Sequence, residues 1–242
     1  MSDGTLYLGN RRYSSWSLRG WLAVRLAGLD VEETVIPFTP DHATPGIRAV
    51  SPSGLVPCLH HRGALIWESL AIVEYCAEQA PLWPTERVAR AYARAMSAEM
   101  HAGFRGLRQS MWMNLGADFT GRGRTDEALA DIARIEALWA EAIGRSGGPF
   151  LFGAGLGGAD AMFAPVVARF LTWRPALTPL SLAYCAAMRA HPLVAAWYDA
   201  ALAEPESWKL PDYEPAVEVG GAGGPDPTRY GDWERKGRTI DF

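Results

Sequence analysis

The chain has 242 residues, 49% of them apolar and 21% charged, enough to bury a substantial core as one large domain or two small ones. A net charge of −4 argues against a general nucleic-acid binder, and no apolar run is long enough to span a bilayer. The start, MSDGTLYLGN, lacks the basic and apolar regions of a leader, and Cys58, Cys76 and Cys185 have no metal or redox spacing, so a cytoplasmic chain with reduced, buried cysteines and no metal is expected.

TLYLG (5–9) reads as a short apolar strand. From Ser17 to Gly28 the spacing of Leu18, Trp21, Leu22, Val24 and Leu26 predicts an amphipathic helix that Gly28 ends. DVEETVIPF alternates as a half-exposed strand, and LVPCLHH (55–61) with ALIW (64–67) predicts a hairpin around Arg62–Gly63. ESLAIVEYCAEQA (68–80) reads as a helix. The order is β-α-β, an irregular stretch, then β-β-α, a compact α/β domain over residues 1–80.

PLWP opens a linker over residues 81–85. An all-helical part follows over 86–205. Its first helix runs over 86–115, with Met96, Met100, Phe104, Leu107 and Met111 as a core stripe; others cover 125–144, capped by Thr125, then 160–173, and 192–202, with Pro192 in its first turn. Residues 206–242 are a Pro- and Gly-rich tail, expected to be extended or flexible, which closes on aromatics at Tyr230, Trp233 and Phe242.

Three features of the first domain point to an anionic, peptide-like ligand. Ser14 and Ser15 stand where a helix begins, and a hydroxyl there holds an anion or caps the helix. Pro57 interrupts a strand signal, marking an edge or a cis turn, and leaves the backbone of Val56 free to pair with a peptide. Glu68 and Ser69 sit at a strand-to-helix corner, an acid beside a hydroxyl. Adjacent His60 and His61 point to opposite faces of a strand and cannot share a metal. GAGLGGAD (153–160) imitates a nucleotide-binding glycine loop without the βαβ unit such a loop needs.

Together the serine pair, the Val-Pro step, the Glu-Ser pair and ADAMFAPV, in that order and spacing, resemble the glutathione S-transferase superfamily over roughly residues 5–205, most closely its zeta class and related bacterial serine enzymes. The resemblance implies a thioredoxin-like α/β N-terminal domain followed by an all-α helical-bundle domain, a dimer, and a role in detoxification. It implies that glutathione, as co-substrate, pairs with Val56 beside cis-Pro57. Its γ-glutamyl end would lie at Glu68 and Ser69, and His42 would take the glycyl carboxylate unless it is only a solvated loop residue. Ser14, with Ser15 as the alternative, would hydrogen-bond the thiolate that attacks a small electrophile. Trp16, Arg108 and Trp112 would line the substrate cleft. The resemblance also implies that Gly157 caps a helix carrying Asp160. Trp16 stands where zeta enzymes have cysteine, which turns the expectation from maleylacetoacetate isomerase activity toward another electrophile. A free thiol ionises near pH 8.5. A hydroxyl bond to the charged form, about 1.5 kcal/mol, plus a helix N-terminus, about 0.3–1 kcal/mol, comes close to the roughly 2.7 kcal/mol that lowers this by two units.

PTRYGDWE, the Gly237–Arg238 step and the closing Asp241–Phe242 resemble the C-terminal signature of succinate dehydrogenase assembly factors. This second resemblance implies, as the alternative function, a glutathione-binding module whose residues 222–242 bind the flavoprotein subunit of succinate dehydrogenase.

Overall fold

The computed structural model describes residues 2–40 and 44–215, together with the backbone of 234–235 and 238–239. Four strands, β1 (Gly4–Leu8), β2 (Glu32–Val35), β3 (Cys58–His61) and β4 (Ala64–Trp67), form one sheet in the order β2-β1-β3-β4. β1 runs parallel to β2 and antiparallel to β3, with Leu6 opposite Leu59, and β3 pairs antiparallel with β4. The parallel pair requires a crossover, which α1 (Ser15–Leu26) supplies; α2 (Pro45–Arg48) lies in the connection to β3, and α3 (Ser69–Ala77) follows β4. This is the thioredoxin-like arrangement that the sequence resemblance implied for the first domain.

Most of this domain is legible in the pattern of its residues. Gly28 adopts a φ of +66° just beyond the end of α1, the left-handed position that favours glycine. Pro57 is a correction. The Val56–Pro57 bond is cis, as one reading allowed, but β3 begins after it at Cys58 and is an interior strand of the sheet, not an edge. The proline ring packs on α1 at Gly20, where a Cβ would stand 2.8 Å from Pro57 Cγ.

The second half holds α4 (Arg87–Ala102), α5 (Arg105–Ser110), α6 (Asp126–Ser146), α7 (Gly158–Trp173), α8 (Pro179–Ala190) and α9 (Pro192–Leu202). The helix expected over 86–115 is two helices, broken where Gly103 is extended and Phe104 takes a φ of +56°. Phe104 is buried at the break and Gly106 presses on Glu127, so packing of α5 on α6 overrides a continuous helical stripe. α8, opened by Thr178 and Pro179, has no counterpart in the pattern reading.

α7 is the central element, buried at all but one of its positions. Its Asp160 accepts from the N–H of Gly157, 2.9 Å, closing the helix start that Gly157 cannot cap with a side chain, and also from Leu151 N–H and Tyr184 O–H. The two halves are joined through core. Arg19 Nε of α1 donates to the carbonyl of Met162 in α7, 2.8 Å, and the connecting residues Leu82 and Trp83 are buried, with Leu82 O accepting from Gly158 N–H.

The segment after α9 departs most from expectation. Two 3₁₀ turns, Glu206–Trp208 and Pro211–Tyr213, lie against the body, and Leu210 is buried. Prolines at 205, 211 and 215 suggested extended chain; instead polar contacts with residues 10–13 hold the segment in place.

Candidate functional site

A cleft of about 530 Å³ opens between the two halves. Ser14, Trp16, Val56, Pro57, Glu68 and Ser69, six of the positions singled out in the sequence, line it. Phe38, Thr44, Ile47, Leu55, His101, Leu210 and Tyr213 complete much of the rest.

Ser14 is the N-cap of α1, and its Oγ accepts from Ser17 N–H at 3.3 Å. It also donates to Ser17 Oγ, 2.7 Å, which accepts Gly9 N–H at 2.9 Å. Capping and cleft lining, which sequence reasoning divided between two serines, thus fall on one. Ser15 is the first residue of α1 and is not among the lining residues.

Val56, beside cis-Pro57, has no backbone hydrogen bond among the described residues. Across the cleft Glu68 is exposed and holds a φ of +71°, a left-handed conformation unusual for a residue with a Cβ. Next to it, at the start of α3, the Ser69 hydroxyl is buried and has no partner. A buried hydroxyl without a partner is costly, and the polar group that satisfies it must come from the cleft.

Two guanidinium groups lie over the Trp16 ring, those of Arg19 at 4.4 Å and Arg108 at 4.6 Å from its centre. Arg19 is fully buried, and both its terminal nitrogens lack partners. Burial, then the neighbouring charges of Arg108 and Arg169, drive the Arg19 pKa down. Arg169 is buried too, donating to the carbonyls of Met111 and Pro165. Positive charge is therefore concentrated behind the Trp16 wall.

Arg108 and Trp112 are not among the lining residues, contrary to expectation. Arg108 turns back to donate to the carbonyls of Met100 and His101, and so reaches the cleft only through Trp16. Trp112 donates from Nε1 to Tyr213 O, 2.9 Å, and stands behind the post-α9 segment. His42 lies outside the described residues.

Sequence reasoning missed His101 because the break after Ala102 was not visible in an unbroken helical stripe. Its ring meets Trp16 edge-on at 5.3 Å, and Nε2 stands 3.7 Å from Glu68 Oε2. Burial lowers its pKa; Glu68 opposes this, and Arg19 and Arg108 reinforce it. His60 and His61 diverge as expected, His60 to Val50 O and His61 to Tyr75 Oη. Burial pushes the Cys76 and Cys185 thiols up to about 12, and Cys58 also rises, so none is a ready nucleophile.

The arrangement of a thioredoxin-like sheet, a helical second half and a cleft at the start of α1 matches the comparisons with known proteins. The glutathione S-transferase N-terminal domain model matches residues 13–79 and the C-terminal domain model matches residues 122–200; the chain belongs to the glutathione S-transferase family. A probable maleylacetoacetate isomerase of Caenorhabditis elegans is 27% identical over 169 residues, covering 67% of this chain and 76% of that one. A theta class glutathione S-transferase from Xanthomonas axonopodis pv. citri, solved with glutathione bound, is 25% identical with a TM-score of 0.60, covering 82% of this chain and 98% of that one. A bacterial zeta class maleyl pyruvate isomerase in its holo form superposes with a TM-score of 0.62 at 24% identity, covering 84% and 99%.

The end of the chain matches a different family. A protein family of unknown function, DUF1674, covers residues 199–242, and a UPF0369 protein of Rickettsia felis is 51% identical over 37 residues, 15% of this chain and 44% of that one. Neither description names a succinate dehydrogenase subunit. Nearly all of residues 222–242 lie outside the described residues; the exceptions, Glu234–Arg235 and Arg238–Thr239, pair as two short antiparallel strands. Among the described residues there is no cluster of potential metal ligands and no helix long and apolar enough to cross a membrane.

Proposed function

We propose that the cleft binds glutathione and that Ser14 stabilises its thiolate for attack on a small electrophile. The observation that carries this reading is the convergence of three groups in one cleft: the unpaired backbone of Val56, the orphaned hydroxyl of Ser69 and the N-capping hydroxyl of Ser14, whose proton can turn from Ser17 to a ligand. An extended γ-glutamyl-cysteinyl peptide answers all three. Its cysteinyl backbone pairs with Val56, its α-carboxylate accepts from Ser69 Oγ and the first N–H groups of α3, and its ammonium meets Glu68.

The chemistry at Ser14 needs one hydroxyl rotation. The Ser14 proton points to Ser17 Oγ, and a thiolate arriving at the start of α1 draws it off, leaving Ser17 Oγ with the Gly9 N–H. Ser14 keeps its proton throughout and acts as a donor to sulfur. The free N–H groups of the first turn of α1 add to the same stabilisation.

The electrophile carries an anionic group, in this reading, and lies against Trp16. Arg19, Arg108 and Arg169 place positive charge behind that ring, and their hydrogen bonds support it: their donors go to carbonyls or to nothing among the described residues. A carboxylated electrophile therefore reacts with a higher kcat/KM than a neutral one of equal reactivity. In Arg108→Met this preference falls severalfold while glutathione affinity holds; an unchanged preference defeats the assignment. Isomerisation of a maleyl substrate and conjugation are separated by product analysis, since only conjugation retains the sulfur bond.

The same reading includes a cytoplasmic homodimer. Leu65 and Trp67 stand exposed on one face of β4, where a second copy would cover them. Light scattering on Trp67→Glu tests it: the dimer dissociates, and a variant still dimeric removes this face from consideration.

A further inference from the structure

The chain after α9 is fastened to the loop that precedes Ser14. The Glu204 carboxylate accepts from the backbone N–H groups of Arg11, 2.6 Å, and Arg12, 3.2 Å. Asn10 Nδ2 donates to Trp208 O at 3.3 Å, while its Oδ1 accepts from Phe38 N–H at 2.6 Å, so one side chain joins this segment to a wall of the cleft. Tyr13 Oη accepts from Leu210 N–H at 3.2 Å and donates to the Glu214 carboxylate. Tyr213 O accepts two donors, Trp112 Nε1 at 2.9 Å and the buried Asn114 Nδ2 at 2.8 Å, and the Tyr213 ring packs on Tyr13 at 5.4 Å.

These bonds hold Leu210 and Tyr213 at the cleft wall, with the Tyr213 ring against Tyr13, the residue before Ser14. Both belong to the stretch that matches the second family, residues 199–242, and not to the transferase C-terminal model, which ends at residue 200. This part of the wall is thus a strap from the stretch that matches the second family, while Ser14, Val56, Glu68 and Ser69 lie in the match to the transferase N-terminal domain.

We propose that Leu210 and Tyr213 are specificity-determining residues for the electrophile, and that the Tyr13–Glu214 latch is the positioning pair that holds them there. The proposal rests on the glutathione reading of the cleft. Leu210, almost wholly buried, sets the shape of the wall from behind, and Tyr213 offers side-chain surface to whatever is attached to the sulfur. Burial, then the Glu214 carboxylate, raise the Tyr13 phenol above its ordinary range, so the latch stays protonated across neutral pH.

The test uses the full chain and two probes, glutathione and S-hexylglutathione, titrated calorimetrically. The difference between them combines the sulfur substituent with the ionisation of the free thiol, and its change from variant to variant reports the contact of the strap with the substituent. In Leu210→Ala and Tyr213→Ala, S-hexylglutathione weakens about fivefold or more while glutathione stays within about twofold. Tyr13→Phe, which removes the latch hydroxyl and leaves the ring, weakens S-hexylglutathione in the same direction and raises the electrophile KM with kcat little changed. If both probes weaken equally, the strap is only structural and the proposal is overturned. If glutathione binds and the ratio of the two affinities is the same in all four proteins, the strap takes no part in specificity, and the glutathione reading stands without it. If neither probe binds the unmodified chain, the glutathione reading itself fails and takes the proposal with it. Circular dichroism melts accompany each variant, and Leu210→Met, which keeps the apolar surface, restores the wild-type ratio.

Discussion

Ser14 Oγ and Ser17 Oγ lie 2.7 Å apart, with the Gly9 N–H bonded to the second of them. The hydroxyl nearest the cleft is thereby held by its neighbour one helical turn on, and its proton is already directed by a hydrogen bond before any ligand arrives. Helix start and reactive donor are the same residue, and removing it has two separable effects.

Ser14→Ala loses about 1 kcal/mol of stability as an N-cap. It also loses a hydrogen bond to the bound thiolate worth about 1.5 kcal/mol, which raises the thiol pKa by about one unit and, from a starting value of about 6.5, cuts the thiolate fraction at pH 7 roughly threefold. Thiolate absorbance of the glutathione complex measures this directly. Ser15→Ala leaves the absorbance unchanged, since Ser15 neither caps α1 nor lines the cleft. The reverse ranking of the two variants would transfer the role to Ser15.

Ser69→Ala separates binding from stability by sign. The buried Ser69 hydroxyl has no partner in the free protein, so its removal leaves the melting temperature unchanged or raises it. Affinity for glutathione falls by about 1.5–3 kcal/mol, the range for a hydrogen bond to a charged group. A variant that melts earlier yet binds normally would show that the hydroxyl serves the fold instead.

Gly20→Ala places a Cβ 2.8 Å from Pro57 Cγ, against a ring that cannot rotate away. Overpacking of this kind costs about 1–3 kcal/mol. Because Pro57 carries Val56, the variant also weakens glutathione, and denaturant melts together with titration check both effects. Normal binding with lowered stability would mean that the strain is absorbed on the α1 side.

Asp160 makes stability depend on pH. Burial raises its pKa to about 6, against hydrogen bonds from Leu151 N–H, Gly157 N–H and Tyr184 O–H that pull the other way. The native state therefore holds this proton more tightly than the unfolded chain, whose carboxyl titrates near 3.8. The stabilisation is complete below about pH 4 and is lost as pH rises through about 6. Measured against Asp160→Asn, which does not titrate, the wild type loses about 2–4 kcal/mol between roughly pH 4 and pH 7. A difference between the two proteins that is flat across that range would mean that the three donors cancel the burial.

The residues near one another in sequence announced themselves. Ser14 before an amphipathic stripe, the proline after Val56, and Glu68–Ser69 after a strand each carry a local meaning, because capping, turn geometry and strand alternation are decided within a few residues. From them came the two-part fold and six positions of one cleft. What tertiary structure alone decided is of another kind. The break at Gly103–Phe104 falls where α5 turns to pack on α6, and His101 of α4 meets Glu68 at the start of α3 only through the packing of distant helices. Arg108 is drawn away from the cleft by carbonyls of its own helical neighbourhood. The strap at Leu210 and Tyr213 is held by donors on Asn10, 198 positions from its acceptor, and on Trp112 and Asn114, 101 and 99 positions from theirs, which no local pattern connects. Long-range hydrogen bonding of backbone carbonyls leaves no periodicity in the chain, and so the wall of this cleft became visible only once the chain had folded.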